Sequence, residues 1–192
     1  MLTIAWDVDD VLNDLMRLWL ERAWLRQHTD CSIVYEDLHR NPPHEVLGAS
    51  LAEYLASLDD FRLYHYLEDL PPLREAQAWF ERNGARYRHV AITEAPLCCV
   101  PLSAHWVLRH FGRWVRTFHF VPSPRCGDAV PVYERDKKDF LQWFGRGDVI
   151  VDDREENVTA AQELGIRAYL MPRPWNRGEG TPRSCFGELA KL

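Results

Sequence analysis

No stretch of this sequence stays apolar for anything near the roughly 20 residues needed to span a bilayer, so a transmembrane helix is excluded. The amino terminus runs straight into a strand-like segment, without the basic and apolar regions of a secretory signal. Repeats, low-complexity tracts and long flexible linkers are also missing. The five cysteines (Cys31, Cys98, Cys99, Cys126 and Cys185) are odd in number and show no C-x-x-C spacing. That argues against a disulfide framework and predicts reduced, structural thiols in a cytoplasmic protein. Adjacent Cys98 and Cys99 are a candidate redox pair, although neighbouring residues rarely meet disulfide geometry. Basic charge is in deficit: 23 Lys and Arg stand against 29 Asp and Glu, a formal net charge of -6. This balance argues against a nucleic-acid polymer or an anionic membrane as partner.

What is present suits one well-packed domain of 192 residues with a small inserted module. Leu2 to Val8 reads as a first strand, and Leu12 to Arg26 as a helix whose apolar face is wide enough to meet two neighbours. Between Asp30 and Leu73 the one strand-like run is Ser32 to Tyr35, and Ser50 to Leu58 reads as a helix. The Pro42-Pro43 and Pro71-Pro72 pairs punctuate this mostly helical insert. A regular alternation follows: helix Arg74 to Arg82 stopped at Asn83-Gly84, strand Tyr87 to Thr93, a helix from Pro101 to Gly112, and strand Thr117 to Val121. Helix Asp136 to Phe144, strand Asp148 to Val151, helix Glu155 to Leu164 and strand Arg167 to Met171 complete it. The expected fold is therefore α/β, a three-layer Rossmann-like parallel sheet with a small helical cap inserted after the first strand. The expected division is a core of residues 1–14 and 74–192 and a cap of residues 15–73. Eight tryptophans are enough both to build core and to line a pocket.

In a parallel sheet ligands bind beyond the carboxyl ends of the strands, and acidic residues gather there. Asp7, Asp9 and Asp10 follow the first strand, and Asp152 and Asp153 follow Val149-Ile150-Val151. A single carboxylate at a strand end is commonly a helix cap, but clusters at two strand ends are costly unless a cation or proton compensates. Oxygen ligands of this kind suit Mg²⁺. Thr93, at another strand end, is either a local backbone partner or a donor to phosphate oxygen. Lys137 and Lys138 lie at the start of a helix, where positive charge opposes the helix dipole by a few tenths of a kcal/mol. They are either solvated, or one of them faces the carboxylates and a bound phosphate.

Asp7-Val8-Asp9-Asp10-Val11, Thr93 after Val90-Ala91-Ile92, Lys137 or Lys138, and Asp152-Asp153 resemble, in order, the four motifs of the haloacid dehalogenase superfamily. Within it, Asp7 to Asp14, Glu68 to Leu73, Arg135-Asp136-Lys137 and Val151 to Arg154 are most similar to the 5′(3′)-deoxyribonucleotidases and their bacterial relatives. The chain departs from them at Thr93-Glu94-Ala95-Pro96, and where Ser103 stands near the place of a lysine. The resemblance implies a Mg²⁺-dependent phosphomonoester hydrolase working through an aspartyl-phosphate, with a small phosphorylated metabolite, a nucleotide among the candidates, as substrate. It implies Asp7 as nucleophile, Asp9 as acid and base, and Thr93 and Lys137 as phosphoryl ligands. Mg²⁺ would be held by Asp7, the Asp9 carbonyl and Asp153, with Asp152 in direct contact or behind them. Asp10 is expected to serve only the turn. Leu15, Met16, Trp19, Tyr54, Phe61, Tyr64, His65 and Tyr66 are the cap candidates for contact with a leaving group, although each reads first as core of the cap.

The alternative is a catalytically idle protein of the same fold that binds phosphate or a partner. A response-regulator receiver fits less well, because a long module precedes the second strand and no lone Asp ends a middle strand. A dehalogenase is disfavoured because a second acid at Asp9 suits phosphoryl chemistry. The segment from Arg173 to Leu192 reads as a surface arm, a contact to a second copy in a homodimer, or a pocket edge.

Overall fold

The structure, a computed structural model, describes residues 1–125 and 128–192, the side chain of Asp69 excepted. Five parallel strands form one sheet: β1 (Thr3–Asp7), β2 (Arg88–Ala95), β3 (Val115–Pro122), β4 (Val149–Asp152) and β5 (Arg167–Leu170), in the order β3-β2-β1-β4-β5. This is the expected α/β Rossmann-like sheet. The apolar runs of β1 and β4 are buried throughout, as strands covered on both faces require. Asp7 pairs in register with Ile92, so the carboxyl ends of β1 and β2 open on the same edge.

The long connection from β1 to β2 holds the insert. Helix α1 (Leu15–Trp19) passes through a π turn (Leu20–Trp24) into α2 (Leu25–Gln27). That extra residue per turn rotates the apolar stripe, which is how Leu15, Met16, Trp19, Leu20 and Trp24 are all buried. The expected strand at Ser32 to Tyr35 does not form. Val34 is exposed, and the segment turns into a short 3-10 helix at Tyr35–Asp37 that buries Tyr35 alone. Helix α3 (Leu51–Asp69) runs well beyond the expected stop at Leu58. Asp59 does not end it, because its carboxylate is held by Arg62 and Arg125. The helix instead stops ahead of Pro71-Pro72, and Leu73 N–H donates to Leu12 O (2.8 Å) where the chain rejoins the sheet.

Helices α4 (Arg74–Asn83), α5 (Val100–Phe111), α6 (Lys137–Phe144), α7 (Glu155–Glu163) and α8 (Pro182–Leu189) cover the sheet. One face carries the larger core, in which Trp6, Phe80 and Trp106 of the sheet and its helices are continuous with Trp19, Tyr54 and Phe61 of the insert. The other face is packed by Phe140 and Leu141 of α6 and Ala161 of α7 over Ala5, Val90 and Ile150. No helix among the described residues is long and apolar enough to cross a membrane. Cys31, Cys98, Cys99 and Cys185 are free thiols, the Sγ atoms of Cys98 and Cys99 lying 3.7 Å apart; Cys126 lies outside the described residues.

Candidate active site

Asp7, at the end of β1, is buried and accepts the N–H of Val8 (2.8 Å). Asp152 ends β4, and Asp153 follows it into the turn before α7. One carboxylate oxygen from each of Asp7, Asp152 and Asp153 lies within 4.8 Å of the others. Lys137 opens α6, with Asp136 as its cap accepting Asp139 N–H (2.9 Å). The geometry separates the two lysines. Lys137 is 2% exposed and its Nζ stands 2.8 Å from Asp7 and 2.7 Å from Asp152. Lys138 points outward to Glu163 at 2.6 Å.

Three buried carboxylates facing one ammonium leave an excess of negative charge in a region where charge is costly. Burial raises the Asp7 carboxyl well above the ordinary range, Lys137 opposes it, and Asp152 and Asp153 add to it. Burial, Asp152 and Asp10 push Asp153 up to about 7. For Lys137, burial acts to lower the ammonium but is outweighed by Asp152 and Asp7, which hold it above the ordinary lysine value. The donor set is all oxygen, without His or Cys, and fits a hard divalent cation such as Mg²⁺. Asp152 carries three protein donors: Lys137 on one oxygen, and Arg154 N–H (2.9 Å) with Asn157 Nδ2 (3.0 Å) on the other. Asp153 takes a donor from Trp175 Nε1 (2.8 Å) and faces Asp7 across the triad. A cation would therefore be met by Asp7 and Asp153, with Asp152 holding Lys137 beside them.

Asp9 stands apart from this triad and is turned toward the insert. Tyr66 donates its hydroxyl at 2.5 Å, Arg62 a guanidinium N–H at 3.0 Å and Asn13 its amide at 3.2 Å. Asp10, at a positive φ of 60°, makes the turn: its carboxylate accepts Met16 N–H and its carbonyl accepts Arg173 Nε. Asp7, Asp9, Thr93, Lys137 and Asp153 line one cavity of about 110 Å³. That is below the roughly 300 Å³ at which pockets begin to enclose a sizeable organic ligand. Of the cap candidates, Leu15, Met16 and Tyr54 line it and Tyr66 reaches Asp9. Trp19 and Phe61 are core, and the exposed Tyr64 and His65 line none of it. Ser103 is buried behind Tyr66, 3.5 Å from its hydroxyl.

Several residues join the site to which the sequence assigned no individual role. Arg62 is nine-tenths buried, lines the cavity, and its Nε has no hydrogen-bond partner among the described residues. Arg154 bridges Glu94 and Glu156 at the mouth. The segment after β5 is a pocket edge: besides Trp175, Asn176 Nδ2 donates to the Asp153 carbonyl (2.6 Å), and Arg173 binds Asp14 (2.7 Å) and the Asn13 carbonyl (3.2 Å). A second cavity of about 380 Å³ lies against the first and shares Asn41, Asp153 and Arg154 with it. An arginine on an extended helix or a tail that folds back carries no local pattern, so only the tertiary fold brings these groups into view.

No family model matches the chain, and no curated protein matches it. Solved structures do. A haloacid dehalogenase-like family hydrolase from Streptococcus pneumoniae superposes with a TM-score of 0.60 at 12% identity, covering 97% of this chain and 90% of its own. A subfamily IA hydrolase of the same superfamily from Geobacter sulfurreducens gives 0.55 at 12%, covering 98% and 96%. A 2-haloacid dehalogenase from Pseudomonas syringae gives 0.52 at 18%, covering 100% and 99%. At these identities the likeness shows a shared fold, and because that fold serves both hydrolases and a dehalogenase, the reaction has to be argued from the site.

Proposed function

We propose that this chain is a Mg²⁺-dependent phosphomonoester hydrolase that works through an aspartyl-phosphate on Asp7. The observation that carries the reading is the buried Lys137 ammonium between Asp7 and Asp152, with Asp153, Thr93 and Asp9 gathered around the same cavity. The cation, held by Asp7, Asp153 and the Asp9 carbonyl, would neutralise charge on the phosphoryl group as it meets an anionic nucleophile. Lys137 holds Asp7 in place and faces the transferring oxygens, and Thr93 supplies a hydroxyl donor beside it. The Asp7 carboxylate attacks phosphorus, Asp9 gives a proton to the leaving alcohol, and Asp9 then takes a proton from the water that cleaves the acyl phosphate. The small cavity takes the phosphoryl group itself. A leaving group extends toward the adjoining cavity past Asn41 and Arg154, where a nucleoside or another metabolite would be distinguished.

The test is release of phosphate from an aryl phosphate with Mg²⁺. Wild type turns over and Asp7→Asn loses activity to background; full activity in that variant would remove Asp7 as the nucleophile. A panel of nucleotides and small phosphate esters then identifies the leaving group, and a preference for sugar phosphates would reject the nucleotidase assignment alone. One observation favours the alternative of a binding protein without turnover: Asp9 accepts from Arg62, Tyr66 and Asn13, and must exchange a donor before it can act as an acid. Absence of turnover across the whole panel would establish that alternative.

A further inference from the structure

A cavity larger than the two at the phosphoryl site lies at the other end of the sheet. It holds about 860 Å³ and sits at the amino ends of β1, β2 and β3, around Thr3, Arg88 and Arg116. Arg88 and Thr93 belong to the same strand, and five residues of strand span about 17 Å. No small ligand bound here could also touch the phosphoryl site.

Four arginines line this cavity, Arg88, Arg113, Arg116 and Arg146, against one carboxylate, Glu81. All four are exposed, and none forms an ion pair among the described residues. The nearby Asp148 spends a carboxylate oxygen on the Thr3 N–H (2.7 Å). Elsewhere arginines meet acids readily, at Asp9, Asp14, Asp59, Asp139 and Glu94. In a chain with net charge -6, four arginines around one hollow without a paired acid form a local reversal of the overall charge.

The floor beneath them is fixed. His89 is buried, accepts Trp6 Nε1–H at Nδ1 (3.0 Å) and gives its Nε2–H to the Gly84 carbonyl (2.8 Å). Trp114 lies so close over Gly84 that a β-carbon there would come within 2.7 Å of the indole. The Arg113 guanidinium stands 5.4 Å from the Trp114 ring. A fixed aromatic floor ringed by planar, permanently charged forks is suited to bidentate binding of several phosphate groups in one ligand.

We infer that this hollow is a second ligand site, for a polyphosphate chain, independent of the phosphoryl site. The source is either inorganic polyphosphate or a nucleoside triphosphate. The probe is inorganic tripolyphosphate, titrated calorimetrically into the full chain without Mg²⁺, with ATP in a parallel arm. One saturable site is expected, weakened about tenfold or more for each arginine removed. Arg88→Gln with Arg116→Gln, and separately Arg113→Gln with Arg146→Gln, should both show it, with unchanged melting temperature and unchanged aryl phosphate hydrolysis. ATP binding at least tenfold tighter than tripolyphosphate assigns the site to a nucleotide, and equal or weaker binding to the phosphate chain alone. Absence of saturable binding by either probe, or undiminished affinity in both paired variants, overturns the inference. So does binding that is lost in Asp7→Asn.

Discussion

At the scale of single residues, Lys137 decides the electrostatics of the site. Its ammonium lies between two buried carboxylates and is itself almost fully buried, so removing it leaves Asp7 and Asp152 facing each other without compensation. Breaking a buried pair by deleting one partner typically costs about 3–5 kcal/mol, and losing one donor to a transferring group lowers turnover by about 100-fold or more. Lys137→Gln is therefore expected to lose both stability and activity, read by urea denaturation and by phosphate release. Lys138→Gln should match wild type in both, because Lys138 pairs with Glu163 at the surface, away from the carboxylates. Equal behaviour of the two variants would contradict the arrangement. The sequence carried Asp7, Asp9, Thr93, Asp152 and Asp153 because each follows an apolar strand run. The residue pattern left the two lysines equivalent, since adjacent residues at a helix start differ only in which way the first turn faces, and only the resemblance favoured Lys137. Arg62 escaped notice because its site neighbour lies 53 residues away along the chain, whereas Trp175 and Asn176 lie in the tail for which a pocket edge was one of three readings.

At the scale of elements, strand β2 joins two unlike environments: Thr93 near its carboxyl end faces the polar cavity, and His89 near its amino end lies in an aromatic cluster with Trp6, Trp79 and Phe80. Burial lowers the His89 pKa below the ordinary 6.5, with the hydrogen bond to Gly84 opposing the shift. Between that lowered value and about 6.5 the unfolded chain binds more protons than the folded one, so stability rises with pH. The contribution is fully present above about 6.5 and is lost as pH falls toward and through the folded value. His89→Phe keeps an aromatic ring and removes the titration. The difference in unfolding free energy between wild type and variant should shrink as pH falls from 7 to 5, and parallel curves would dismiss His89 as a source of acid sensitivity. Strands of this kind were legible from their apolar runs, and the helices between them from their glycine stops. The insert was less so. Helix α3 was underestimated at Leu58, where the polar Asp59 follows; Asp59 is an ion-pair partner in the interior of the helix. Ser32 to Tyr35 had β-like composition but finds no strand to pair with, and composition alone cannot supply a partner.

At the scale of the molecule, insert and sheet share one core, and the segment after β5 grips both. Arg173 binds the turn of Asp10 to Asp14, while Trp175 and Asn176 bind Asp153. The folded arrangement thus assembles three carboxylates from two strand ends and sets one directly paired ammonium, Lys137, against their charge, so a ligand cation should stabilise the whole fold. Binding to the folded state alone adds about 2.7 kcal/mol when the ligand is at a hundred times its dissociation constant. For a chain of this size that corresponds to a rise of about 5–10 °C in melting temperature. The rise should saturate with millimolar Mg²⁺, reverse with a chelator, and be absent with Na⁺ at equal ionic strength. Asp153→Asn should lose most of it, because Asp153 faces Asp7 across the triad. Asp152→Asn should retain more, since both Asp152 oxygens are engaged by Lys137, Arg154 and Asn157. A larger loss in Asp152→Asn would exchange the two roles, and no Mg²⁺-dependent shift in wild type would leave the cluster without its proposed cation.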